Sequence, residues 1–340
     1  MTFVACACAH AADAPKKAQA KPPPATQGYL QREDVRAFAA EVATETGVPK
    51  HDVERWFAAA KYQPKIVALM DRPLLEPPKW FAYAPPFLAQ ERVDGGVRFW
   101  RDNADALARA EVEYGVPPEI IVAIIGVETY YGRYTGPYRV IDALATLAFD
   151  YPRRATFFRG ELKEYIALAH DQGFSPLVPK GSFAGAMGIP QFMPGSYRRF
   201  AIDFDGDGHA DLWKSNADVV GSIANYLVRH DWQRGQPVLL PALVAIEARP
   251  GAVRRLDGGI SERRPVAAWQ ADGVTIGGAA VDAAVDPVGL LLLEENGGAG
   301  DDAVSLWIAC PNFYVITRYN KSRLYASAVW ALAERIKASR

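Results

Sequence analysis

The chain has 340 residues, which is long enough for about two domains of ordinary size. Half of the residues are apolar and 23% are charged, a composition that excludes a wholly disordered chain. Lysine and arginine total 38 against 39 aspartate and glutamate residues, so the formal net charge is −1 and gives no attraction to nucleic acid or to an anionic membrane. The 11% of aromatic residues suit stacking on ligands such as sugars as well as core packing.

The cysteines and the apolar runs exclude two further classes of protein. Cys6 and Cys8 lie at the amino terminus and Cys310 lies far from them, so the sequence predicts no disulfide framework and no zinc site. No apolar run approaches the ~18 residues that a membrane-spanning helix needs. We therefore expect no transmembrane helix.

The amino terminus is typical of the remnant of an export signal followed by a tether. Residues 1–12 are small and apolar, and Ala9-His10-Ala11 has the form of a signal-peptidase site. The sequence before Cys6 also resembles a lipoprotein box, in which Cys6 would carry a lipid anchor. An ordinary disordered tail is the alternative interpretation. Residues 13–28 are rich in proline, alanine and lysine and predict an extended tether.

The chain from 29 to 232 is predicted to be mainly helical. Apolar spacing indicates a helix that ends at Gly47, a second helix over about 51–60 and a third over about 97–114. A later helix over about 321–337 places apolar side chains on one face, namely Leu324, Ala328, Val329 and Leu332.

Residues 236–316 change to short β-branched or leucine-rich runs separated by turns, which predicts a small, mostly antiparallel sheet. The runs are PVLLPALVAI, GVTIGG, VGLLLLEE, AVSLWIAC and FYVIT. Together with the helices they predict an α+β fold that is mainly α.

The segment GVPPEIIVAIIGVETYYG at 115–132 predicts a helix that is buried on nearly all sides. Pro117 and Pro118 favour its start, and Gly132 favours its end. Glu128 lies at the carboxyl end, where burial and the helix dipole both raise the pKa of a carboxylic acid. A raised pKa suits a general acid, so Glu128 is the candidate catalytic residue; a glutamate that simply reaches water is the alternative.

The segment GSFAGAMGIPQFMPGSY at 181–197 combines four glycines with Ser182 and Gln191. Glycine allows the backbone to approach a ligand closely, and the two side chains offer neutral hydrogen-bonding groups. A glycine-rich turn without a ligand is the alternative interpretation.

A third segment resembles the first half of an EF-hand-type calcium loop. Its alternating carboxylates are Asp203, Asp205 and Asp207. His209 fits the next position because that ligand is a backbone carbonyl. The closing glutamate of the standard loop is replaced by Lys214, so Asp218 would have to complete the ligand set. A metal-free turn rich in aspartate and glycine is the alternative.

Together these segments resemble the lytic murein transglycosylases of the B type. The matching stretches, in the order of that family, are GVPPEIIVAIIGVETYYG, IDALATLAFDYPRRATFF, GSFAGAMGIPQFMPGSY, DFDGDGHADLW and NFYVITRYN. The resemblance implies a periplasmic enzyme with a lysozyme-like catalytic core. It also implies cleavage of the β-1,4 bond between N-acetylmuramic acid and N-acetylglucosamine in peptidoglycan, with a 1,6-anhydromuramoyl end as the product.

The resemblance implies that a single glutamate is enough for this reaction and that no cofactor is needed for catalysis. Glu128 would protonate the glycosidic oxygen and then accept the proton of the muramoyl C6 hydroxyl as it attacks C1. The implied substrate-binding residues are Ser182, Gln191, Tyr226, Tyr83, Asn312, Arg153 and Arg154. The implied ligands of a structural calcium or sodium ion are Asp203, Asp205, Asp207, His209 and Asp218.

The expected organisation has five parts, which are the signal and tether at 1–28, a helical region at 29–100, the catalytic core at 101–235, a β-rich subdomain at 236–311 and a returning segment at 312–340. The expected partner is the glycan strand of peptidoglycan, with cell-wall synthesis enzymes added by analogy only. We expect a monomer.

Two other functions stay open on the sequence alone. A hydrolytic, lysozyme-type muramidase needs a second carboxylate near Glu128, which the local sequence does not offer. A non-catalytic peptidoglycan-binding protein would have lost the acid, yet Glu128 is present.

Overall fold

The computed structural model describes residues 28–71, 78–277, 285–298 and 303–340. The predicted export signal, with Cys6, and almost all of the tether lie outside the described residues. The described α-helices are α1 (Glu33–Thr46), α2 (Lys50–Ala59), α3 (Pro64–Met70), α4 (Trp80–Tyr83), α5 (Pro85–Leu88), α6 (Gln90–Asp102), α7 (Ala104–Tyr114), α8 (Pro118–Thr129), α9 (Val140–Asp150), α10 (Ala155–Asp171), α11 (Pro194–Phe200), α12 (Asn216–Val228), α13 (Arg249–Arg254), α14 (Val266–Ala271), α15 (Pro311–Tyr319) and α16 (Arg323–Ala338). The described strands are β1 (Tyr138–Arg139), β2 (Lys180–Gly181), β3 (Leu239–Val244), β4 (Val274–Ile276), β5 (Gly289–Glu294) and β6 (Val304–Ala309).

The fold is α+β and mainly α, as the sequence predicts. Within the described ranges, no helix combines the length and the apolar character that crossing a membrane would require.

Contacts divide the chain into two compact units. The described part of the first unit is 28–71 and 128–222, and the second unit takes the described residues of 78–127 and 223–340. This division differs from the predicted boundaries, because α1 to α3 share a unit with the segment after Glu128 instead of forming a region of their own.

The first unit is built around α9, whose residues from Val140 to Phe149 are all buried. Helices α3 and α10 pack against it, and the rings of Phe38 in α1 and Phe57 in α2 lie against the ring of Phe149. The entry of the chain into this unit is also fixed on α9, because the hydroxyl of Tyr29 donates to Asp150 (2.8 Å) and Arg32 forms an ion pair with the same carboxylate (2.6 Å).

A buried carboxylate holds the connection between α2 and α3 against α9. Asp142 is only 3% exposed and accepts two hydrogen bonds from the guanidinium of Arg139, at 2.9 and 2.7 Å. It also accepts the backbone N–H of Lys61 at 2.9 Å. One turn further on, the hydroxyl of Thr146 accepts the backbone N–H of Gln63 at 3.0 Å. These bonds give the backbone N–H groups of Lys61 and Gln63 partners on α9 and so fix the position of the loop.

One predicted helix end is confirmed, and another predicted helix is divided in two. The first ends as predicted, with Gly47 in the left-handed conformation at φ 74°. The helix predicted over 97–114 is instead two helices, α6 and α7, separated at Asn103. The side chain of Asn103 donates to the carbonyl of Phe99 (2.8 Å), and such local bonds compete with the helix backbone.

The second unit contains the predicted antiparallel sheet, with strand order β4-β3-β6-β5. Leu240 and Leu290 both pair with Ile308, which places the three residues at one level of the sheet, and Trp269 packs in the buried cluster against it. Four of the five predicted strand runs form β3 to β6.

The fifth run, FYVIT, is helical and the prediction of a strand there is wrong. It lies in α15, which begins with Pro311 at its first position. The buried residues Asn312, Phe313, Val315 and Ile316 follow helical spacing. Burial of one helix face thus overrides the strand preference of the β-branched residues.

We predict that Asp142→Ala lowers the free energy of unfolding by about 3 kcal/mol, because Arg139 and the N–H of Lys61 lose a buried acceptor. Urea denaturation followed by circular dichroism measures this change. Asp102→Ala is the matched control, since Asp102 pairs with Arg101 in solvent and its loss should cost less than about 0.5 kcal/mol. Equal losses in the two variants would contradict a special role for the buried carboxylate.

Candidate active site

Helix α8 carries the candidate acid at its carboxyl end. Its apolar residues from Ile120 to Val127 are all buried, as predicted, and Glu128 is half-buried. The helix ends at Thr129 and not at the predicted Gly132, because the left-handed conformation already begins at Tyr130. The acid therefore lies at the point where a buried helix gives way to an irregular turn.

Thr129 links the end of α8 to the loop that follows β2. Its side chain is 1% exposed, and its hydroxyl donates to the carbonyl oxygen of Ile189 at 2.9 Å. The same hydroxyl oxygen accepts the N–H of Gly132 at 3.0 Å. The residue next to Glu128 thus fixes both the turn after α8 and the loop on the other side of the site.

Glycine residues allow the turn after α8 and the loop that follows β2 to come close to each other. Strands β1 and β2 pair Tyr138 with Gly181 just beyond the turn. Gly136 has φ 111°, and a Cβ there would collide with the carbonyl oxygen of Gly181. A Cβ on Gly181 would in turn collide with the carbonyl oxygen of Ala186. Side chains at these positions would separate the segments.

Ser182 presents a hydroxyl group next to this approach. Its Oγ accepts the backbone N–H groups of Ala184 (3.3 Å) and Ala186 (3.1 Å). Because the oxygen already accepts twice, the hydroxyl proton is the group that Ser182 can offer to a ligand. The side chain is half-buried, so a ligand can reach it.

Gln191 presents the complementary acceptor. Its Nε2 donates to the carbonyl oxygens of Thr135 (3.0 Å) and Gly188 (2.9 Å). Carbonyl oxygens cannot donate, so these partners identify the nitrogen and assign Oε1 as the group available to a ligand. Its backbone φ is 54°, a conformation unfavourable for a residue with a Cβ.

The paired arginines lie in the same unit, in the 3-10 helix Pro152–Arg154. The guanidinium carbon of Arg154 lies 4.4 Å from the ring centroid of Phe157 and 5.1 Å from that of Phe158. Arg153 is exposed to solvent. A stacked guanidinium keeps its edge free for a carboxylate.

Glu161 is a second half-buried acid in the first unit, and no sequence motif pointed to it. Its carboxylate accepts the N–H of Gly195 at 2.8 Å, near the start of α11. Burial raises the pKa of Glu161, while that N–H and the charge of Arg199 act in the opposite direction. Only the packing of α10 against α11 gives Glu161 this environment.

Three predicted substrate-binding residues belong to the second unit. The hydroxyl of Tyr226 donates to the carbonyl of Arg318 (2.7 Å), and the ring of Tyr83 lies 5.0 Å from that of Phe87. The third residue, Asn312, is 0% exposed.

The hydrogen bonds of Asn312 favour a structural role over the predicted sugar contact. Its Nδ2 donates to the carbonyls of Gln233 (2.8 Å) and Gln236 (2.9 Å), and its Oδ1 accepts the N–H of Gln233 (2.8 Å). Both N–H groups of the amide are therefore used to hold the turn after α12, and no atom is exposed to a sugar.

The structure brings together three of the predicted ion ligands. One carboxylate oxygen each of Asp203, Asp205 and Asp218 lie within 4.8 Å of one another, and Asp218 is buried. Burial raises the pKa of Asp218, whereas the N–H of Gly208 and its neighbours lower the pKa of Asp203. Clustered hard oxygen donors of this kind suit calcium.

The other two predicted ligands lie outside that group of side chains. The carboxylate of Asp207 accepts the N–H of His209 at 2.9 Å. The ligand predicted from His209 is its backbone carbonyl oxygen.

We predict that Thr129→Val lowers the free energy of unfolding by about 2 kcal/mol, because the carbonyl of Ile189 and the N–H of Gly132 lose a buried partner. Thr129→Ser keeps the hydroxyl and should lose less than about 1 kcal/mol. Thr44→Val is the matched control, since the hydroxyl of Thr44 bonds to the carbonyl of Ala40 in solvent. Chemical denaturation of the three variants measures their free energies of unfolding. A Thr129→Val protein as stable as the wild type would refute the role of Thr129 in linking α8 to the loop after β2.

The whole length of the described fold resembles known transglycosylases. Residues 30–334 match the family described as Transglycosylase SLT domain. The membrane-bound lytic murein transglycosylase B of Escherichia coli (strain K12) is 39% identical over 325 residues, which cover 92% of this chain and 85% of that protein.

Two solved structures show the same fold. The catenated lytic transglycosylase SltB1 from Pseudomonas aeruginosa has a TM-score of 0.84 and 42% identity, covering 92% of this chain and 99% of that one. The Escherichia coli lytic transglycosylase Slt35 in complex with calcium has a TM-score of 0.79 and 38% identity, covering 93% and 94%. The chain therefore belongs to the Transglycosylase SLT domain family.

Proposed function

We propose that this protein is a lytic transglycosylase that cleaves the glycan strands of peptidoglycan and leaves 1,6-anhydromuramoyl ends. The observation that carries the proposal is the position of Glu128. It is a half-buried acid at the end of a buried helix, next to a threonine that links it to the loop carrying Ser182 and Gln191. The relationship to enzymes named lytic transglycosylases over 92% of the chain supports the reaction class.

The reaction needs one carboxyl group that acts twice. Protonated Glu128 donates its proton to the glycosidic oxygen, and the bond from that oxygen to muramoyl C1 breaks. The C6 hydroxyl of the same sugar then forms a bond to C1 and gives its proton to the Glu128 carboxylate. The acid is regenerated and no water is consumed. An intramolecular nucleophile of this kind gains a large effective concentration.

Neutral and cationic groups of the same unit have complementary roles in this proposal. The hydroxyl proton of Ser182 and the Oε1 of Gln191 supply one donor and one acceptor for the hydroxyl and acetamido groups of the substrate. Arg153 and Arg154 supply cations for the carboxylates of a peptide stem or lactyl group. The substrate contacts of Tyr83 and Tyr226 stay predictions.

The hydrolytic alternative requires a second carboxylate that activates water or attacks C1. Glu161 is the half-buried acid of the first unit that sequence reasoning missed, and its carboxylate is engaged with the N–H of Gly195. The raised pKa of Glu161 would suit such a base, so the ends of the released fragments decide between hydrolysis and the intramolecular reaction.

We predict that Glu128→Gln lowers the turnover of purified peptidoglycan sacculi by at least about 100-fold, because an amide cannot donate the proton. The variant should remain folded and still bind sacculi. Glu164→Gln is the matched control, since Glu164 forms a surface ion pair with Arg198.

Mass spectrometry of the released fragments tests the reaction class. Wild-type protein should release anhydro-ended fragments, which are one water lighter than reducing ends. Reducing ends would establish hydrolysis, and the absence of release by folded protein would favour the non-catalytic alternative. Substantial turnover by Glu128→Gln would refute the assignment of the acid.

We also propose that the loop at 203–218 binds a structural calcium ion, as supported by the cluster of Asp203, Asp205 and Asp218. Slt35, a relative of 38% identity, was solved in complex with calcium. The ion would contribute to the stability of the loop, and no catalytic step involves it.

We predict that calcium stabilises the wild-type protein, by about 2.7 kcal/mol when the ion is present at 100 times its dissociation constant. Asp205→Asn should lose most of this effect, whereas the surface variant Asp171→Asn should keep it. Thermal denaturation with calcium, sodium or chelator measures the effect. A wild-type melting temperature that is the same in calcium, in sodium and in chelator would show that the loop binds no ion.

The proposed site of action is the periplasm, where peptidoglycan lies. The small, apolar sequence at 1–12 supports export, and the related enzyme of Escherichia coli is named as membrane-bound. Cys6 is the residue that a lipid anchor would use. A soluble periplasmic form is the alternative.

A further inference from the structure

The five residues after Thr129 carry three tyrosines and an arginine on an unusual backbone. Tyr130 has φ 53° and Tyr131 has φ 61°, and Gly132 continues the left-handed run at 82°. Side chains with a Cβ rarely adopt this conformation, so it persists only where the surrounding structure enforces it. Such residues cluster at functional sites. Gln191, on the neighbouring loop, has the same conformation.

The rings lie side by side in one cluster, which we call the aromatic platform and define as Tyr130, Tyr131, Arg133 and Tyr134. The ring centroid of Tyr130 lies 5.9 Å from that of Tyr131 and 6.3 Å from that of Tyr134, the latter nearly parallel at 25°. The guanidinium carbon of Arg133 lies 4.8 Å from the Tyr130 centroid. Tyr134 is 69% exposed, and thus offers its ring to solvent.

Hydrogen bonds hold the platform at both ends. The N–H of Tyr134 donates to the carbonyl of Thr129 at 3.0 Å, and the N–H of Gly132 donates to the hydroxyl of the same residue. At the other end, Gln191 donates to the carbonyl of Thr135. The platform is therefore fixed to the residue that follows the acid and to the loop that faces it, so binding a ligand there needs little ordering.

The chemistry of the platform matches that of a sugar ring. A pyranose has apolar C–H faces that stack on aromatic rings, and hydroxyl groups at its edge that accept hydrogen bonds from a guanidinium such as that of Arg133. An exposed tyrosine ring loses little conformational freedom when it is covered. Peptidoglycan presents such rings in an unbroken series along each strand.

We propose that the aromatic platform binds a further sugar of the glycan strand, beyond the two sugars joined by the bond that Glu128 cleaves. This inference rests on the proposed function, because it takes the glycan strand as the ligand of the same site. The occupant stacks on Tyr134 and contacts Arg133. The platform thereby makes long strands better substrates than short fragments.

The test compares kcat/KM on long, uncrosslinked glycan strands with kcat/KM on short soluble fragments that span only the cleaved bond and its nearest sugars. Tyr134→Ala should lower the ratio of the two values about tenfold, the effect of losing one stacking contact of roughly 1.4 kcal/mol. Tyr134→Phe keeps the ring and should keep the ratio within about twofold. Val178→Ala is a matched control because Val178 is an exposed apolar residue of the same unit.

An unchanged ratio in Tyr134→Ala, or an equal loss on both substrates, would overturn the proposal. A second measurement separates this failure from a failure of the proposed function. Co-sedimentation of Glu128→Gln protein with sacculi, with and without Tyr134→Ala, reports binding without cleavage. Weaker binding with Tyr134→Ala would support the platform even if wild-type protein released no anhydro ends, whereas equal binding would count against it.

Discussion

One buried hydroxyl group, that of Thr129, holds together the parts on which the chemistry depends. It donates to the loop that carries Ser182 and Gln191, and it accepts from the turn that carries the aromatic platform. Glu128 is the residue before it, so this bond helps to fix the backbone that carries the acid. A helix end offers few backbone partners of its own, and a side chain that bonds in two directions supplies them. The geometry of the site therefore depends on a backbone junction directly beside the acid.

Behind this junction lies a rigid support. The Arg139–Asp142 pair sits at the start of α9, directly after the short strand β1 that pairs with β2. The carboxylate also fixes the connection between α2 and α3. In this way the amino-terminal helices, the strand pair and the glycine contact between Gly136 and Gly181 restrain one another. Helices that carry no candidate site residue thus contribute to the geometry of the site by restricting where the two loops can lie.

Sequence reasoning located the features that depend on local pattern. The continuous apolar run before Glu128 predicts a buried helix, and four leucine-rich or β-branched runs predict strands. Sequence reasoning failed where tertiary packing determines the secondary structure. The run FYVIT is an example, because its residues are buried along one face of α15. The environment of Glu161 and the role of Asn312 depend on partners 34 and 79 residues away, which no local spacing shows. The end of α8 at Thr129 was missed because the next residue, Tyr130, is of a type that rarely adopts a left-handed backbone.

The left-handed backbone at Tyr130 and Tyr131 also bears on how this protein can be engineered. Glycine adopts such a backbone without steric cost, but at these positions it would remove the ring contacts of the turn. The chain keeps large rings there and accepts a strain of about 1–3 kcal/mol for each. Stabilising substitutions are often found by relieving strain of this sort, frequently with a loss of function. A search for a heat-resistant variant would therefore do better to leave this turn alone and improve exposed helix positions elsewhere.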